Sequence, residues 1–309
     1  MSKYSPYKKR PTILEQFRSF YFQNKCTDLE SAIEYFSVFG GMSWGVDMQM
    51  SLEKLIENKV YNNYRYIHAD ITQITESDKT SHALLTGIAS GDRRLHSALK
   101  KARISRPDGE YALDNLFDRG FLEDEYSLEK PPSDDNIDEK LNFPKPFMRF
   151  WFSFISPYFK SIRDGDYKEA EESFANKKQE FSELTFIKLA GEVMKKTFKD
   201  DPIVELGSYW DRNTSIDILA KTKSGKIVAG ICKYSNSKAK KTELTKLQEQ
   251  CDKAELKADI CVVISKSGFT NEMKSQKSPE LKLLALKNFK SLVEDLSERD
   301  FIECEGKRY

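Results

Sequence analysis

From residue 11 to 75 apolar side chains recur at three- and four-residue spacing, the period of a helix with one buried face. Ile13, Leu14, Phe17, Phe20 and Tyr21 trace the first such face behind Pro11, and Leu29 to Phe39 carries a second that stops at Gly40-Gly41. Three shorter helices are predicted next. They run from His82 to Ser90 (closed by Gly91), from Arg94 to Ala102, and from Ser105 and Pro107 to Gly120. Phe121 to Leu128 and Lys140 to Phe143 read as two strands joined by the polar loop Pro131-Pro-Ser-Asp-Asp135, so this unit takes the form of a winged helix. An aromatic run, Pro146 to Phe159, follows. Its rings could stack on bases, but exposed together they would form an aggregation patch, and a buried connector is expected.

Beyond it, Asp164 to Gln179 is polar with helical propensity, and Leu184, Ile187, Ala190, Val193 and Met194 mark a helix face. The period then changes to β-branched and apolar runs at Ile203–Tyr209, Ser215–Lys221, Ile227–Cys232 and Asp259–Ser265, with a helix from Lys241 to about Leu256 before the last. Leu281 to Leu296 reads as a final helix. The order α-β-β-β-α-β predicts an α+β chain ending in a mixed sheet flanked by helices.

Composition narrows the function classes. At 309 residues the chain is long enough for two or three domains. No apolar run reaches the roughly 18 residues of a membrane span, and the basic start Met1 to Arg10 lacks the apolar stretch of a secretory signal. The five scattered cysteines (Cys26, Cys232, Cys251, Cys261, Cys304) contain no Cys-x-x-Cys and read as thiols of a reducing cytoplasm. His68, His82 and His96 lack metal-ligand spacing. Fifty basic residues stand against 49 acidic, so any nucleic-acid contact must come from a local patch. The third short helix is a poor groove reader, because Ala102 to Glu125 holds three arginines against seven acids; a scaffold or protein-contact role fits it better. Lys226 to Lys257 has the opposite balance, eight lysines against four acids, with Lys238, Lys240 and Lys241 clustered and Lys246 one turn on; a solvated lysine-rich face is the plain alternative.

Asp217 and Lys233 lie on adjacent predicted strands joined by the turn Lys223-Ser-Gly-Lys226. A carboxylate and an ammonium at one sheet edge are the core of a magnesium-dependent phosphodiester-cutting site. A second carboxylate normally stands two residues before the lysine, and here that position is Ile231. Asp217 alone is a poor magnesium site. Glu205 on the preceding strand and Glu243 on the following helix are the candidate replacement ligands. A simple Asp217–Lys233 ion pair is the plain alternative.

Four stretches in order resemble the C-terminal two-thirds of the archaeal-type ATPase family: Ile33-Glu-Tyr-Phe-Ser-Val-Phe-Gly-Gly-Met42, Leu84-Leu-Thr-Gly-Ile-Ala-Ser-Gly91, Phe147-Met-Arg-Phe-Trp-Phe152, and Gly207-Ser-Tyr-Trp-Asp-Arg212 with the two strands after it. The resemblance implies a lid-like helical region over residues 1–78 and a winged helix over 79–145. It further implies an aromatic connector with helical bridge over 146–180, and an α/β restriction-endonuclease-like domain of PD-(D/E)XK type over 181–309. It assigns metal binding to Asp217 and charge stabilisation to Lys233, and places a further helix acid at Ile187. The phosphate-binding loop Gly-x-x-x-x-Gly-Lys-Ser/Thr is missing, which removes the ATPase expectation. The expectation is therefore a cytoplasmic DNA-binding protein with a degenerate, inactive nuclease-like domain and no cofactor. It would associate with itself or another protein through the winged helix. The alternatives are an active magnesium-dependent endonuclease and a pure interaction module.

Overall fold

The computed structural model describes residues 10–129 and 138–303. The predicted loop Pro131 to Asp135, the basic start and Cys304 lie outside these residues. The fold is α+β, with a helical N-terminal half and a five-stranded mixed sheet at the C-terminal end.

Local chemistry sets the first helices. Thr12 caps α1 (Ile13–Gln23) through a reciprocal capping box with Glu15, and the Asp28 carboxylate caps α2 (Leu29–Phe39) through the Ser31 N–H. Gly41 turns the chain after α2 at φ +78°. Then come α3 (Leu52–Ile56), which continues into a π-helical turn at Glu57–Tyr61, and α4 (Tyr64–Ile74).

The next unit contains α5 (Lys79–Ala89), α6 (Leu95–Ala102) and α7 (Arg106–Asp118), followed by the antiparallel pair β1 (Glu123–Tyr126) and β2 (Glu139–Asn142). Asp78 and Ser105 cap α5 and α7. Three helices and a hairpin stand where the sequence predicts them. The α5–α6 crossing depends on Gly87, since a Cβ there would sit 2.8 Å from the Ala98 carbonyl oxygen. Gly87→Ala is therefore expected to destabilise the chain by about 1–3 kcal/mol. Chemical denaturation of the purified variant checks this, and an unchanged midpoint would mean that the crossing relaxes freely.

The aromatic run forms α8 (Pro146–Phe150), a π turn at Trp151–Ile155 and, after a short 3₁₀ turn, α9 (Phe159–Arg163). Phe147, Phe150, Trp151, Phe152 and Phe154 are all buried, so the run is core and offers no stacking platform for bases. Helix α10 (Lys168–Thr197) is unbroken for 30 residues, about 45 Å. It crosses the expected boundary at 180/181 without interruption. Phe174 and Phe181 pack on the connector, and Phe186 stacks on Phe289 at 4.8 Å beneath the sheet.

The sheet contains β3 (Ile203–Trp210), β4 (Ser215–Thr222), β5 (Ile227–Lys233), β6 (Ile260–Ser265) and β7 (Leu281–Ala285), in that spatial order. The first three form an antiparallel meander, and β6 and β7 add in parallel. The parallel crossovers carry α11 (Lys241–Lys253) and α12 (Asn271–Ser275). One sheet face joins a core that continues through α10 and the connector to Phe17 of α1. The other face, with Leu219, Ala229, Ile231 and Val263, packs on Leu247 and Cys251 of α11. The helix expected from Leu281 is corrected: Leu281–Ala285 is a strand, and only a 3₁₀ stretch, Leu286–Leu292, follows. Its apolar run, bounded by the turn before it, docks beside β6, which is buried from Val262 to Ser265, where a continuous hydrophobic strand is stable.

Among the described residues no helix is long and apolar enough to cross a membrane. The four described cysteines are all free.

Candidate functional site

The two expected site residues lie on neighbouring strands, but they do not pair. Gly207 stands opposite Leu219 and Tyr209 opposite Ile216, so Asp217 and Ile218 together face the single residue Ser208. This bulge kinks β4 and re-aims Asp217. The Ser208 hydroxyl donates to the Asp217 carbonyl at 2.8 Å, and Asp217 Oδ2 accepts the Cys232 N–H at 2.8 Å. Burial pushes the Asp217 pKa up against this hydrogen bond and the Lys246 ammonium.

Lys233 belongs to a different partner. Its Nζ donates to Glu243 Oε1 at 2.7 Å, and both side chains are about one-fifth exposed. The plain alternative, an Asp217–Lys233 ion pair, is not what forms: α11, packed over β5, presents Glu243 to the lysine. Glu205 stands opposite Lys221, four residues along β4 from Asp217, roughly 13 Å at strand rise. Neither replacement acid serves as expected. Glu205 is out of reach, and Glu243 is engaged by the ammonium.

A third acid is the one the sequence reading misses. The resemblance places a helix acid at Ile187, but the carboxylate that faces Asp217 is Glu183, one turn earlier on α10. Burial raises the Glu183 pKa, the nearby Asp217 raises it further, and the Tyr234 backbone N–H opposes the rise. The i to i+4 relation between Glu183 and Ile187 puts both on one helix face, and that spacing is the signal that could have found it.

These donors do not make a magnesium cage. Ile231 is 4 % exposed and sealed into the apolar layer with Leu247, where the missing glutamate would have to stand. Asp217 already holds the Cys232 N–H. Among the described residues no group of three or more His, Cys, Asp or Glu could hold a metal ion. Two acids fall short of the octahedral oxygen set that magnesium demands.

A pH dependence follows from the pair. Both folded-state pKa values lie above the usual carboxylate range, so between the unfolded and folded values the native chain binds more protons. Their contribution to stability falls as pH rises through that window. Glu183→Gln is thus expected to melt above the parent at pH 7.5, with the difference vanishing near pH 4. Thermal unfolding at both pH values checks the sign, and a lower melting point at pH 7.5 would reverse it.

The lysines form a separate edge. Lys238, Lys240 and Lys241 are exposed and, among the described residues, pair with no carboxylate. The segment that carries them is pinned: the Ala239 N–H donates to the Gly268 carbonyl at 2.8 Å, and the Thr270 N–H donates to the Ala239 carbonyl at 3.0 Å. Lys240 is the N-cap of α11 and makes no side-chain capping bond. Two ammonium groups thus stand at the positive end of a helix dipole, beside backbone N–H groups that lack helical acceptors, and an anion relieves that arrangement. Lys246, also exposed, lies further along α11 toward Asp217 and Glu183.

Residues 151–245 match a family model described as archaeal and bacterial proteins of unknown function. The matched stretch runs from the π turn of the connector through α10 and β3–β5 into α11. It holds Glu183, Asp217, Ile231, Lys233 and the three loop lysines. No curated protein and no solved structure matches the chain. Under a third of the chain is thus similar to a C-terminal portion of an archaeal-type family, whose description names neither an ATPase nor a nuclease.

Proposed function

We propose that the chain binds nucleic acid through phosphate contacts at the start of α11, on a nuclease-like fold whose cutting centre is degenerate. The observation that carries this reading is the pinned cluster Lys238, Lys240 and Lys241, unpaired among the described residues, at a helix N-terminus without a side-chain cap. Asp217 and Lys233 are then vestigial: one carboxylate, half-buried, is held by a backbone N–H, and the ammonium is neutralised by Glu243. The helical half and the winged-helix-like unit serve as the surface for self-association or a protein partner. Helix α7 suits that role because it exposes Tyr111 among acids, a surface that repels phosphate.

Incubating the purified chain with supercoiled plasmid and magnesium or manganese tests the reading. Salt-sensitive retention of intact plasmid is expected. Cleavage abolished by Asp217→Ala would establish the endonuclease reading instead, with Glu183 as the relocated acid. No retention at low salt would leave an interaction module alone.

A further inference from the structure

A second concentration of positive charge lies apart from the lysine edge. It lines a cavity of about 300 Å³ where α5, β2, α8 and α10 meet, a size at the lower end of small-molecule sites. Arg93, Arg149, Lys177 and Lys188 line it against two acids, Asp92 and Glu180. Two of the cations have protein counter-charges. The Arg93 guanidinium donates to Glu125 at 3.0 Å and to the Asn142 side-chain oxygen, and Lys188 lies 3.5 Å from Glu123.

Among the described residues Arg149 pairs with no carboxylate. Its Nη2 donates to the Phe181 carbonyl, and its guanidinium lies 3.9 Å over the Phe181 ring. Burial, and then the Arg93 charge, pull its pKa well below the usual arginine range, yet it stays cationic at neutral pH. A guanidinium presents five N–H donors in a planar fork, and one carbonyl satisfies only one of them. Lys177, exposed on α10, pairs with no carboxylate among the described residues and pushes on Lys101 across the way. Burying the Arg149 guanidinium without a carboxylate beside it is costly unless an anion joins it. Phe143, Phe154 and Leu184 supply apolar wall beside the charges, which suits a ligand with one anionic group and a hydrophobic body.

We propose that this cavity binds a phosphate monoester, gripped bidentately by Arg149 and closed at the rim by Lys177. The same chemistry is offered by a free mononucleotide and by the 5′-phosphate end of a strand. The site is independent of the lysine edge.

Calorimetric titration of the full chain with AMP, adenosine, and 5′-phosphorylated and 5′-hydroxyl oligonucleotides of one sequence separates these sources. The expected result is binding of a phosphorylated ligand at least tenfold tighter than its unphosphorylated counterpart. That binding should weaken at least tenfold in both Arg149→Met and Lys177→Glu, and persist when Lys238, Lys240 and Lys241 are reversed to glutamate. A response to AMP assigns free nucleotide, and a response to the phosphorylated strand alone assigns strand ends. Should Arg149→Met fail to fold, Lys177→Glu decides, because its side chain is exposed. Equal binding of phosphorylated and unphosphorylated ligands, no binding of either, or binding unchanged in Lys177→Glu would overturn the proposal.

Discussion

Phe150→Ala is expected to lower the free energy of unfolding by about 3–5 kcal/mol, the range for truncating a fully buried phenylalanine whose site cannot collapse. Phe150 is fully buried, with ring centroids at 5.4 Å from Phe174, 5.7 Å from Phe154 and 6.3 Å from Phe181. Two of those rings belong to α10, so the cavity opens where the connector meets the long helix. No neighbour can fill it by a simple side-chain rotation, because Phe154, Phe174 and Phe181 already interlock edge to face with centroids 5.1 to 6.4 Å apart. Phe159→Ala is the control from the same aromatic run. Phe159 is 41 % exposed, and its loss is expected to change stability by no more than about 0.5 kcal/mol. Urea unfolding of the two variants against the parent gives the comparison. Equal effects would show that the run is not the structural hub described here.

Reversal of Lys238, Lys240 and Lys241 to glutamate is expected to reduce affinity for a duplex at least tenfold at low salt. Each lysine that meets a phosphate releases condensed counterion, adding about 0.9 to the magnitude of the slope of log affinity against log salt. Removing three contacts should flatten that slope by about three. The fold should tolerate the change, because the three side chains are exposed and pair with no carboxylate among the described residues, while the backbone beneath them is held by Gly268 and Thr270. Acidic side chains at the start of α11 also agree with its dipole, so stability should hold or rise slightly. Lys233→Met is the contrasting substitution. It breaks a half-buried ion pair with Glu243 rather than a phosphate contact, and its effect should appear in stability rather than in the salt slope.

The parts of this architecture that were legible in the sequence are those set by local chemistry. Ser105 caps a helix where its side chain can reach the first free N–H groups, and Gly41 and Gly120 turn the chain at positive φ. The β-branched runs of β4 and β5 announce strands in the same way. What was illegible depends on long-range packing. Leu281-Lys-Leu-Leu-Ala285 has no period that separates strand from helix, and only the flank of β6 decides it. The partner of Lys233 depends on how α11 lies across β5, and the approach of Glu183 to Asp217 depends on how α10 crosses beneath a bulge. The spacing of Glu183 and Ile187 marks a shared helix face, but neither crossing itself is written in a residue spacing. The replacement of a ligand by Ile231 was legible as a loss of chemistry. That the same side chain seals an apolar layer against Leu247 emerges only from the fold.

The claim that a phosphate-binding edge sits beside a disabled cutting centre meets its most direct test in one titration. A short fluorescent duplex is titrated with the chain from low to moderate salt in the presence of magnesium, and the DNA is recovered afterwards. The expected result is affinity that falls steeply with salt, a slope flattened by about three in the triple lysine reversal, and duplex recovered at full length. Binding indifferent to salt or to the reversal, or duplex recovered as fragments that Asp217→Ala prevents, would contradict it.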